Sequence, residues 1–187
     1  MIFNRHYNQE GKHAFLSPSS PYWLNYTSEK LKDRYYSAKA AEYGTIKHAF
    51  AADCIRLRQR LPKSKKTLNM YVNDAIGYKM TPEVVLYYSD VCFGTADTIS
   101  FRDNFLRIHD YKSGVTPAKM EQLLVYAALF CLEYKINPEE IEIELRIYQE
   151  NDIDILNPTP EDVRRVMRII VEHDKTVAKL KQQEEIA

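Results

Sequence analysis

At 187 residues, 45% of them hydrophobic and 28% charged, the chain has the make-up of a globular protein able to bury a core without disulfide or metal staples. Its net charge is zero, which excludes a uniformly basic nucleic-acid-coating protein. The charge is uneven, however: residues 1–80 carry 14 Lys/Arg against 6 Asp/Glu, and residues 81–187 carry 12 against 20. A basic half suits phosphates and an acidic half suits a cation. The three cysteines, Cys54, Cys92 and Cys131, form no C-x-x-C pair, so zinc and iron–sulfur sites lack their usual ligands and a reducing setting is the simplest fit. No apolar run approaches the roughly 18 residues of a membrane span, and the first residues lack a secretory apolar region. A cytoplasmic protein without a membrane partner is expected.

In chain order, the Ser/Pro-rich stretch ahead of Tyr22-Trp23-Leu24 predicts a helix over about Ser20–Tyr36, with a serine N-cap and proline in its first turn. A second, Ala-rich helix is expected over about Ala38–Arg60, with Gly44 and His48 on one face at i, i+4 spacing. Leu61–Lys66 reads as a basic loop, its lysine run solvated, and a shorter helix follows over Thr67–Tyr78. From Glu83 the period becomes that of strands. Val84–Cys92, Thr95–Phe101 and Phe105–Tyr111 read as an antiparallel meander with its clearest turn at Arg102-Asp103-Asn104. Pro117 opens a helix through about Tyr134, with an apolar stripe of Met120, Leu123, Leu124, Ala127, Ala128 and Cys131. Glu140–Tyr148 alternates as a strand. After a two-proline loop, Thr159 caps a last helix whose end, Lys179–Ala187, reads as polar and frayed. The expected fold class is α/β, a mixed central sheet flanked by helices, in a single domain over 1–187. Within it, 1–80 form a helical part, 81–150 a sheet and helix, and 151–187 a C-terminal helix.

Chemistry concentrates in Phe93-Gly-Thr-Ala-Asp97 and, thirteen residues on, Asp110-Tyr-Lys-Ser-Gly114. Residues two apart on a strand share a face, so Asp110 and Lys112 project together, and Asp97 reaches them if the two strands are neighbours. Two carboxylates beside a lysine are costly to bury unless they hold a cation or pair with one another. Mg²⁺ and Mn²⁺ favour such oxygens, and a neighbouring ammonium can orient water or meet developing charge. A bare D-x-K alone reads as a surface salt bridge; the flanking residues decide.

Gly94-x-x-Asp97, Asp110-Tyr-Lys-Ser-Gly114 and Gln122-x-x-x-Tyr126, with Gly44-Thr-x-x-His48 and Leu16-Ser-Pro-Ser-Ser-x-x-x-Leu24 upstream, resemble the RecB-type branch of the PD-(D/E)XK nuclease superfamily. That branch includes CRISPR-adaptation exonucleases and small phage exonucleases. The resemblance covers about residues 16–150. It implies a restriction-endonuclease-like core and a Mg²⁺- or Mn²⁺-dependent deoxyribonuclease. His48, Asp97, Asp110 and the carbonyl of Tyr111 would ligate the metal, and Lys112 would serve the attacking water. Gln122 and Tyr126, at i, i+4, would address the phosphate or back up the lysine. Glu83 stands ahead of the first expected strand, where some relatives carry an acidic residue. Many relatives hold an iron–sulfur cluster on four cysteines; Asn25 stands where one often lies, and the C-terminal cysteines are missing, so no cluster is expected. No G-x-x-x-x-G-K-[ST] loop occurs, so a recombination or replication partner would supply any unwinding. The implied role is digestion of DNA ends or single strands, in a phage or bacterial setting. A structure-specific or nicking endonuclease and a catalytically inactive DNA-binding or assembly module are the alternatives. His109, on the opposite strand face from Asp110, reads as structural.

Overall fold

The structure, a computed structural model, describes residues 4–186. The chain divides into two compact units, Met1–Tyr43 and Gly44–Ala187. In the first, Pro21–Asn25 form a short 3-10 helix that Ser20 precedes without a side-chain cap bond. The Trp23 indole N–H donates to Ser17 O at 2.9 Å, and Phe15 meets Tyr35 edge-on. The two helices expected here are one: α1 runs unbroken over Ser28–Arg56. It starts where Thr27 Oγ1 accepts the Lys30 N–H at 3.2 Å, and Ser37-Ala38-Lys39 contains no glycine or proline to end it.

The second unit takes the last turns of α1 and adds α2 (Thr67–Gly77), β1 (Thr81–Ser89), β2 (Cys92–Arg102), β3 (Phe105–Tyr111), α3 (Glu121–Tyr134), β4 (Glu142–Gln149), β5 (Asp152–Leu156) and α4 (Pro160–Ile186). The five strands form one sheet in the order β1-β2-β3-β4-β5, antiparallel except for the parallel β3–β4 pair. A parallel pair needs a long crossover, and α3 supplies it. Asp103 and Asn104, with φ of 50° and 57°, turn β2 into β3 as a two-residue left-handed turn. Glu150 and Asn151 do the same between β4 and β5. The fold is therefore α/β, with a five-stranded mixed sheet flanked by helices.

Two apolar clusters lie on the two faces of that sheet. On one, Leu86, Ala96, Ile99, Leu106, Ile108, Ile143, Leu145 and Ile147 pack against α3 and against Val163 and Ile170 of α4. Of the stripe expected on α3, Leu123, Leu124, Ala127, Ala128 and Cys131 are buried, while Met120 lies just ahead of the helix and is half-buried. Leu129 and Phe130 are buried as well, so the helix is apolar over more than one stripe because both sheet and α4 cover it. On the other face, Ala51, Cys54 and Ile55 of α1 and Tyr71, Val72, Ala75 and Ile76 of α2 pack with Met80, Tyr111 and Tyr148.

Pro117 lies four residues ahead of α3 rather than at its start, and Pro138–Glu140 form a 3-10 turn before β4. The stretch expected to be a loop before the last helix holds β5. Thr159 caps α4 as expected, with its Oγ1 accepting the Asp162 N–H at 3.2 Å while Asp162 Oδ2 accepts the Thr159 N–H at 3.0 Å. α4 is helical to Ile186, and positions 179–184 are exposed, in keeping with the polar end expected there.

Leu145 is fully buried in the α3-facing cluster. Leu145→Ala is expected to cost about 2–5 kcal/mol, the transfer of the deleted side-chain carbons plus the cavity they leave. A urea titration reads this as a lower midpoint at constant slope; a cost under about 1 kcal/mol would contradict the placement of this residue.

Candidate active site

The site is organised by a break in β2. Ala96 and Ile99 are three residues apart, yet both enter the α3-facing cluster, so the two-residue alternation slips between them, at Asp97 and Thr98. On β1 the register holds from Pro82↔Thr98 to Val84↔Ala96 but the pair between them is missing, which leaves Glu83 opposite Asp97 with a left-handed φ of 54°. Glu83 thus lies inside the first strand, not ahead of it as its sequence position suggests. Pairing of β2 with β3 extends only as far as Thr98↔His109, while β3 runs on through Asp110 and Tyr111. Asp97 fills the gap: its Oδ2 accepts the Tyr111 N–H at 2.9 Å, replacing the strand carbonyl that β2 no longer offers.

Asp110 and Lys112 project together, as the strand period predicts. The Lys112 ammonium donates to Asp110 Oδ1 at 3.1 Å. It also lies 2.9 Å from Oδ2, a charge contact without hydrogen-bond alignment, which leaves Oδ2 buried with no directed donor. Lys112 donates next to Gln122 Oε1 at 3.1 Å. Gln122 Nε2 reaches the Tyr126 hydroxyl at 3.4 Å, and that hydroxyl donates to Thr95 O at 2.8 Å. Gln122 and Tyr126, one turn apart on α3, thus hold the lysine from above the sheet. Gly94 makes room for this: a Cβ there would stand 3.0 Å from Tyr126 Cε1.

His48 enters from α1. Its Nδ1 lies 3.3 Å from Asp97 Oδ2, and its ring meets the Tyr111 ring edge-on at 5.1 Å. Gly44, one turn earlier, is buried where a Cβ would meet Ser113 Oγ at 3.0 Å. Tyr111 takes part through its N–H and its ring, which stacks on Tyr71. The site residues expected from the sequence in this unit therefore meet in one place. The upstream Leu16–Leu24 element belongs to the first unit, where Leu16 and Trp23 line a separate hollow.

The electrostatics bear on a cation. Burial first, and then the Asp97 charge, push the Asp110 carboxyl up to about 6. The hydrogen bond to Asp97 raises the His48 imidazole above its ordinary value, against the opposing effect of burial. Like charges facing one another around an undirected buried oxygen are the arrangement a divalent cation relieves, and two carboxylates with an imidazole form a donor set suited to Mg²⁺ or Mn²⁺. The donors fit in kind. Among the described residues, however, no three His, Cys, Asp or Glu side chains stand ready-made around a metal position. Here the Asp97 and His48 donors are turned on each other.

No family model, no curated protein and no solved structure matches the chain. The residues must carry the assignment. Among the described residues, no helix is long and apolar enough to cross a membrane.

Sequence reasoning missed Thr95, whose carbonyl anchors the Tyr126 hydroxyl; its only sign was a place inside the Gly94-x-x-Asp97 element. It also missed the polar layer beneath β3. His109 is fully buried on the face opposite Asp110, with Nδ1 3.3 Å from the Tyr148 hydroxyl and Nε2 without a hydrogen bond, 4.0 Å from Glu144 Oε1. Tyr148 in turn donates to Asp74 Oδ2 at 2.8 Å, and Arg146 pairs with Glu144 at 3.0 Å. Burial, with Arg146 and Arg107 nearby, pulls the His109 imidazole down to about 3.

Because His109 takes a proton more readily unfolded than folded, its contribution to stability is complete above pH about 6.5. It is lost as the pH falls toward about 3, at up to about 1.4 kcal/mol per pH unit. Asp110 acts in the opposite sense, its raised value favouring the fold as the pH drops below about 6. His109→Gln is therefore expected to flatten the parent's acid limb between pH about 6.5 and about 4, read as urea midpoints at half-unit steps. Parallel limbs in the two proteins would show that His109 is not buried neutral.

Proposed function

We propose that the chain is a metal-dependent deoxyribonuclease with a PD-(D/E)XK-type core, an exonuclease acting on DNA ends or single strands in recombination or replication. The observation that carries this reading is the meeting of two contact chains at the Asp110–Tyr111 peptide. One is His48–Asp97–Tyr111 N–H, and the other is Asp110–Lys112–Gln122–Tyr126–Thr95 carbonyl. A helix, two strands and a second helix contribute to one small volume, more than a lone surface salt bridge between Asp110 and Lys112 requires.

In this reading Asp97, Asp110 and His48 would hold a Mg²⁺ or Mn²⁺ ion, with the Tyr111 carbonyl as a further donor. When bound, the ion supplies Lewis-acid polarisation of the scissile phosphate and a more acidic water. Lys112 sits beside Asp110, where its side-chain nitrogen would orient the attacking water or meet negative charge developing on phosphorus oxygens. Gln122 and Tyr126 fix that nitrogen from a rigid helix. Burial of Asp110 keeps bulk water from screening these charges. No iron–sulfur cluster has a part in the reading.

A second reading, a nuclease-type fold serving only as a DNA-binding or assembly module, draws on the direct contact between Asp97 and His48, which turns two of the donors on each other. Labelled single-stranded DNA with Mn²⁺ separates the two. Under the nuclease reading, Asp110→Ala and Lys112→Ala each lower the digestion rate by about 10²-fold or more, and a chelator abolishes it. Equal rates in the parent and both variants would remove the site assignment. A closed circular plasmid then sorts the cut: an exonuclease leaves it intact, whereas a nicking or structure-specific endonuclease relaxes or linearises it.

A further inference from the structure

Beside the site, Lys112 also borders a second feature, a hollow of about 300 Å³. Its wall brings together Lys47 of α1, Lys66 and Thr67 at the start of α2, Lys112 after β3, and Glu150 and Asn151 of the β4–β5 turn. Three lysines and one acidic residue line it. The side chains of Lys47 and Lys66 have no ion-pair or hydrogen-bond partner among the described residues. Lys112 is held by Asp110 and Gln122, but two unpaired cations beside it on a concave surface raise the local potential, which an anion relieves.

The hollow is held in shape. Asn151 Oδ1 accepts the Thr67 N–H at 3.1 Å, and the Asn151 N–H donates to Thr67 Oγ1 at 2.7 Å, a reciprocal clamp between the β4–β5 turn and the first residue of α2. Both turn residues, Glu150 and Asn151, hold left-handed φ values of 48° and 65°. The positive end of α2, an eleven-residue helix, opens on the same hollow. The Lys63–Lys66 run, which reads from sequence as a solvated loop, thus places one of its members in a walled, basic cavity that touches Lys112.

We propose that this hollow is a phosphate subsite. It takes a phosphate group of the same DNA strand whose neighbouring linkage lies at Asp110 and Lys112, with Lys47 and Lys66 as its cationic contacts. The assignment rests on the nuclease reading for the identity of the strand. A held phosphate beside the cutting position fixes the register of the strand, so that cleavage falls at a set distance from the phosphate captured. That phosphate is either an internal backbone group or the terminal group of an end.

The test uses the full chain, Lys47→Gln/Lys66→Gln, and Lys179→Gln/Lys181→Gln as a control that removes the same charge from α4. Fluorescence anisotropy with chelator present measures binding of a single-stranded oligonucleotide carrying either a 5′-phosphate or a 5′-hydroxyl. For the first variant the Kd is expected to rise about tenfold, and the slope of log K against log salt to shrink by about 0.7 for each phosphate that is no longer neutralised. The control variant keeps the parent's slope. An equal weakening for both oligonucleotides assigns the subsite to a backbone phosphate; a weakening confined to the phosphorylated one assigns it to an end. Matching Kd and slope in the parent and the Lys47/Lys66 variant, or no binding by the parent, overturns the subsite. Because no metal or cleavage enters the measurement, its failure is separate from that of the nuclease reading. If Asp110→Ala still digests DNA while the lysine variant binds weakly, the subsite stands and the assigned cutting site falls.

Discussion

The arrangement of this molecule depends on one hydrogen bond, from the Tyr111 N–H to Asp97 Oδ2. A strand that leaves its ladder strands the polar groups of its neighbour, and a buried N–H without an acceptor is expensive. Here the acceptor is a carboxylate, stronger for its charge. The bond lets the part of β2 ahead of Thr98 stand away from β3 without loss, and it pins an acidic side chain at the place where the sheet opens. Asp97 is therefore a structural element before it is a chemical one.

The opening also joins two faces that the sheet otherwise keeps apart. Lys112, Gln122 and Tyr126 belong with α3, whereas His48 and the Tyr111 ring belong with α1 and α2. Beneath β3, adjacent residues divide the work. Asp110 faces the lysine, and His109 faces a layer of tyrosines and arginines, where burial first and then Arg146 and Arg107 hold its imidazole well below the ordinary value. A strand one residue out of register would exchange them. The packing on both sides of β3 makes such a slip costly.

Much of this was legible in the residues. The bounds of β3, the α3 stripe and the shared face of Asp110 and Lys112 follow from simple periods, and Gln122 and Tyr126 follow from helical spacing. What escaped has physical causes. Alternation cannot reveal the parity slip at Asp97, because Asp97 leaves the ladder together with Glu83 on the neighbouring strand, and only the pairing shows it. The β5 strand is five residues long, mostly exposed, and enters through a Glu-Asn turn lacking the glycine that usually marks a hairpin. The union of two expected helices into α1 reflects the weak evidence that a Ser-Ala-Lys stretch offers for a break. The lysines around the hollow lie in three separate chain segments that only the fold assembles.

Gly94 sits against Tyr126 for want of a single carbon, and its backbone needs no unusual φ. The smallest side chain at that point would press on the ring whose hydroxyl is tethered to Thr95 and which steadies Gln122 and, through it, the ammonium of Lys112. An alanine there would act on the reactive group only through Tyr126 and Gln122, and it would add neither charge nor polarity. It would still reach that group mechanically, by displacing the aromatic lever against which the lysine is braced.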